Sequence, residues 1–155
     1  MNDEDRAALL ALRDSFAALG ATDPDSWALS EISEDIPQLA RYLALQRIWP
    51  ELIDSWAAPG ALENIPEAAR LLAHGADRSD LAQFARVTAY EAVGLLYNLT
   101  AAGRDGEAPD DSPGWRLMET TASGELTGRA VRRLHEDLLA MDPSGREGRD
   151  LWDRQ

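Results

Sequence analysis

Cysteine and lysine are both missing from this 155-residue chain. Without cysteine there is no disulfide, no thiolate nucleophile and no Cys-ligated zinc. Without lysine, a phosphate loop closing in Gly-Lys-Ser or Gly-Lys-Thr cannot be built. Long apolar runs are missing too, since no stretch approaches the ~18 to 20 residues that a membrane helix requires. The first residues, Met1-Asn2-Asp3-Glu4-Asp5, are acidic where a secretory signal would be positive and then apolar. There is no Gly-x-Ser-x-Gly elbow and no internal repeat. These absences lead to the expectation of a cytoplasmic protein that uses no cofactor and does not contact a membrane.

What is present is negative charge. Asp and Glu number 28 against 15 basic residues, all of them arginine, for a net charge of −13. The preference for Arg and Ala is what GC-rich, bacterial codon usage produces. The sign of the balance carries more. A field of this sign repels phosphate backbones, so no nucleic-acid partner is expected. It attracts basic proteins and speeds their encounter. The acids are concentrated: residues 1–111 hold 20 acids and 8 Arg, whereas residues 112–155 hold 8 acids and 7 Arg. Within 23–67 there are 9 acids, only Arg41 and Arg47, and three of the five tryptophans, Trp27, Trp49 and Trp56.

The patterning is helical. Asn2 or Asp3 can cap a helix with Leu9, Leu12, Phe16 and Leu19 on one face, ended by Gly20. Asp23-Pro24 opens a short second helix, and Pro37, Pro50 and Pro66 open others. Trp49-Pro50 reads as a boundary, because an interior proline would remove a hydrogen bond and clash with the preceding turn. The strongest element is 80–100, capped by Ser79. Its apolar residues cover more than one face, which is the pattern of a helix surrounded by others. Residues 103–114 are turn formers and charges, predicting a mobile loop. A small β-hairpin fits 115–131, helical spacing returns from Val131 to Met141, and 143–155 is a polar tail in which Leu151 and Trp152 can dock. The expected fold is therefore a single helical domain over 1–155. It is all-α, or mainly α with one hairpin, and has five to seven helices around 80–100.

Two groups of residues are candidates for function. Trp49 and Trp56 are seven apart, with Glu51 and Asp54 between them. Indoles at the centre and carboxylates at the rim would make an interface for a basic protein. Near the other end, Arg132, Arg133 and His135 could hold an anion, because guanidinium forks suit carboxylate or phosphate. Glu125, Glu136 and Asp137 are close enough in sequence to neutralise them. His135-Glu136 does not complete a zinc motif, since position 139 is Leu rather than His. No catalytic or metal residues are assigned. The leading expectation is a non-catalytic acidic binding domain of the inhibitor, immunity or adaptor type. The alternative is a small enzyme or ligand-binding domain built on the Arg132–Arg133–His135 group.

Overall fold

The helices that the sequence marks at Asp3, Asp23-Pro24, Pro37, Pro66 and 80–100 form, and the computed structural model describes residues 3–153. Helix α1 runs Asp3–Ala18 with Asp3, Glu4 and Asp5 in its first turn, where acids complement the helix dipole; Asn2 lies outside the described residues. Helix α2, Pro24–Glu34, has Asp23 as N-cap, its carboxylate accepting from the Ser26 N–H at 3.1 Å. Helices α3 (Gln38–Leu45) and α4 (Pro66–Ala73) follow. The long helix α5 spans Arg78–Ala102. Strands β1 (Leu117–Thr120) and β2 (Leu126–Val131) pair antiparallel, and the one-turn helices α6 (Leu134–Asp137) and α7 (Arg149–Trp152) complete the described chain. The protein is mainly α with one small hairpin.

Three local details differ from the sequence expectation. Trp49-Pro50 does not separate two α-helices. α3 ends at Leu45, and Pro50 lies inside a π-helical turn, Ile48–Ile53, followed by a 3-10 turn, Asp54–Ala57. Pro50 is in the first turn of that element, where a missing N–H leaves no bond unmade. Asp77 rather than Ser79 caps α5, its carboxylate accepting from the Ser79 and Asp80 amides at 2.7 and 3.0 Å. The helical spacing read from Val131 to Met141 is only partly used: Val131 ends β2, and α6 is four residues long.

Contacts within the chain divide it into two compact units, Met1–Ala44 with Gly103–Arg132, and Leu45–Ala102 with Arg133–Gln155. The first unit is centred on an aromatic trio. Phe16 stacks on Trp27 with ring centroids 5.8 Å apart, and Tyr42 meets both edge-on at 5.6 and 5.5 Å. Its hairpin is held to the helices by Arg129, which forks onto Glu119 at 2.7 and 2.8 Å and reaches the buried Glu31 at 2.8 Å. The other oxygen of Glu31 accepts from the Leu39 N–H at the start of α3. Residues 103–114 form turns and no regular element, and Trp115 N–H closes the segment onto Gly103 C=O at 2.8 Å.

The second unit packs around Trp49, Ile53 and Leu151, with Val87, Tyr90 and Met141 against them. The tail therefore contributes to the core through Leu151, whereas Trp152 stays half exposed against Tyr90, with centroids 5.2 Å apart. α7 is fixed by polar contacts as well. Gln83 on α5 donates to the backbone carbonyl of Asp150 at 2.7 Å, and Arg86 joins Asp54 and Asp150, each at 2.8 Å.

Candidate functional site

The tryptophans and acids of 49–56 do not form the surface that their spacing suggests. Trp49 is fully buried, and its indole N–H donates to the Leu138 carbonyl at 2.7 Å. The π-helical turn carries it inward, so it is a core residue and not the centre of an interface. Trp56 is half-buried. Asp54 faces Arg86, leaving Glu51 as the exposed member, paired at 3.2 Å with Arg47 one turn away.

The arginines near His135 point to different tasks. Arg133 adopts a left-handed backbone (φ 58°) and lies 3.7 Å from Glu136, three residues on. Arg132 is exposed. His135 lines a cavity of about 480 Å³ with Tyr90, Glu91, Asn98 and Trp152, a set that includes neither Arg132 nor Arg133. Among the described residues no group of three or more His, Asp or Glu is placed to hold a metal ion, and no helix is long and apolar enough to cross a membrane.

The feature that sequence reasoning missed is on α5. A helix apolar on more than one side was expected to be covered on all sides, but large apolar residues on one face are exposed. Phe84 is 72% exposed, Leu95 61%, Leu96 59% and Leu99 53%. At 100° per residue, positions 84, 88, 92, 95 and 99 fall within one stripe, flanked by 85 and 96, and this stripe contains no charge. The opposite face, with Ala82, Arg86, Val93 and Tyr90, is the side packed in the second unit. Monomers seldom leave such a continuous apolar surface without a use for it. The sequence signal was available: the apolar residues of α5 extend beyond one face, with Asp80, Glu91 and Asn98 along one edge of the exposed arc.

Gly94 sits inside α5 with a helical backbone, and a Cβ built there would meet nothing within 4 Å. Gly94→Ala is expected to stabilise the protein by about 0.5–1 kcal/mol, because alanine loses less backbone entropy in a helix. Thermal unfolding should shift upward by about 1–4 °C; a downward shift would mean that the space is not free.

Asp142 organises the turn before α7. Its buried carboxylate accepts from the Ser144 and Gly148 amides, both at 2.8 Å. Burial alone would push its pKa up. The bonds from Gly148 and Ser144, helped by the charge of Arg86, outweigh burial and hold it below the ordinary carboxylate value. A group depressed in the folded state contributes stability above its unfolded value, about 3.9, and loses it as pH falls through the folded value. Asp142→Asn is therefore expected to lower stability at pH 7 by about 1–2 kcal/mol. Urea unfolding at pH 7 and pH 3 should show that gap narrowing in acid; a constant gap would rule out the carboxylate as its source.

Comparison with known proteins finds no matching family model, no matching curated protein and no matching solved structure.

Proposed function

We propose that this chain is a non-catalytic acidic binding domain, of the inhibitor, immunity or adaptor type, that engages a basic protein. The supporting observation is the disposition of charge in 23–67. Seven of its nine acids are exposed: Asp23, Asp25, Glu34, Asp35, Glu51, Glu63 and Glu67. The two turned inward, Glu31 and Asp54, are each held by an arginine from outside the stretch, Arg129 and Arg86. Of the two arginines within it, Arg41 is buried and Arg47 alone is exposed. Surface pairs of Glu51, Glu63 and Glu67 with Arg47, Arg78 and Arg70 offset part of this charge, and Asp23, Asp25, Glu34 and Asp35 add a negative excess on the surface that can steer a positive partner.

The test begins with a partner captured from the host at low salt, then purified and recombined with the pure chain. Its association rate should fall at least about tenfold as salt rises from about 50 to 500 mM. Glu51→Gln, which leaves the buried networks intact, should slow association at low salt. An acidic partner, or a rate indifferent to salt, would overturn the reading.

A further inference from the structure

We propose that the exposed apolar face of α5 is the docking surface for an amphipathic helix of a basic partner. This rests on the binding-domain reading above and gives it a site. The stripe runs from Phe84 to Leu99, and α5 itself is about 37 Å long at 1.5 Å per residue. Its four large exposed side chains, with Thr88 and Ala92 between them, present on the order of 500 Å² of apolar surface, near the upper end for a monomer. With a polar rim this approaches the ~800 Å² per partner of a standard interface.

The relief of the face favours a helix. Phe84 stands at one end and Leu95, Leu96 and Leu99 at the other, while the exposed residues between them, Thr88 and Ala92, are small. Large side chains of a second helix can settle into that saddle, as ridges enter grooves in helix pairs. Charge identifies the partner. Asp80 and Glu91 are eleven residues apart, so they project within about 20° of each other along one edge of the stripe, and both are exposed. Arginine or lysine beside the partner's apolar face would meet them. A second copy of this chain would bring its own Asp80 and Glu91 and a further −13 charge, and an anionic membrane is repelled in the same way.

The experiment titrates the full chain into fluorescently labelled model peptides of about five helical turns. One carries a leucine stripe flanked by arginine, one the same stripe flanked by glutamate, and one the arginine composition in scrambled order. The ordered arginine peptide should bind best. Leu95→Gln with Leu99→Gln should weaken it at least about tenfold, and Glu91→Gln should weaken it a few-fold at low salt. Glutamine is nearly as good a helix former as leucine, so circular dichroism should be unchanged. Leu29→Gln, at an exposed leucine of α2, should leave binding intact.

Equal, salt-sensitive binding of both arginine peptides, untouched by the leucine changes, would sink the docking surface while leaving the acidic-domain reading in place. Failure of both arginine peptides to bind at low salt would sink both. A dimer by light scattering that the double change makes monomeric would give the face to a second copy. Sedimentation with phosphatidylcholine–phosphatidylglycerol vesicles, lost in the double change, would give it to a membrane; either result overturns the proposal.

Discussion

Arg86→Leu is expected to cost about 3 kcal/mol or somewhat more, because it strands two carboxylates at once. Arg86 donates to Asp54 and Asp150 at 2.8 Å each and to Gln83 Oε1 at 3.2 Å, with its side chain 14% exposed. The partners differ. Asp54 is 35% exposed and can recover water, whereas Asp150 is 18% exposed and already has one buried oxygen without a hydrogen-bond partner. The penalty therefore falls mainly on Asp150, and with it on α7 and Leu151. At about 2–4 °C per kcal/mol for a chain of this size, the melting temperature should fall by roughly 6–12 °C.

The comparison that separates charge from packing is the triple change, Arg86→Leu with Asp54→Asn and Asp150→Asn. Removing a buried ion network whole costs less than removing one partner, so the triple variant should be more stable than Arg86→Leu alone. A triple variant less stable than the single one would mean that Arg86 acts through the packing of its aliphatic stem.

How far the sequence disclosed this molecule depends on the range of the interactions concerned. Local chemistry was legible. Asp23-Pro24 caps and opens α2, Gly20 follows α1, and the hairpin forms within 115–131. Long-range partners were not. Nothing near Arg129 in sequence shows that it will reach Glu31, or that Arg86 will hold Asp150, because these pairs span 98 and 64 residues. The candidate site failed for a related reason. A spacing of seven puts Trp49 and Trp56 on one face only of a regular α-helix, and Pro50 diverts that stretch into π and 3-10 turns. Likewise the apolar circumference of α5 was visible, but whether a second layer exists to cover it is a property of the whole chain.

Trp49→Ala should be the most damaging single change, at about 4–6 kcal/mol. Truncating a buried tryptophan removes a large apolar area and leaves a cavity that the surroundings only partly close, which costs roughly 3–5 kcal/mol. Trp49 is fully buried among Ile53, Leu151 and Tyr90, and the Gly148 Cα stands so close that a Cβ there would come within 3.4 Å of its ring. The deletion also orphans the Leu138 carbonyl that its N–H serves at 2.7 Å, adding a penalty of about 1 kcal/mol or more if water cannot enter. Domains of this size are stable by only about 5–15 kcal/mol, so the variant should populate unfolded chains measurably at 37 °C. Trp49→Phe isolates the second effect, since it keeps an aromatic ring but has no donor. Its loss in denaturant unfolding should fall between wild type and Trp49→Ala. If Trp49→Phe matched wild type, the bond to Leu138 would contribute nothing and packing alone would hold the turn. If both variants matched wild type, Trp49 would not be a core residue, and the interface first suggested by its spacing from Trp56 would be open again.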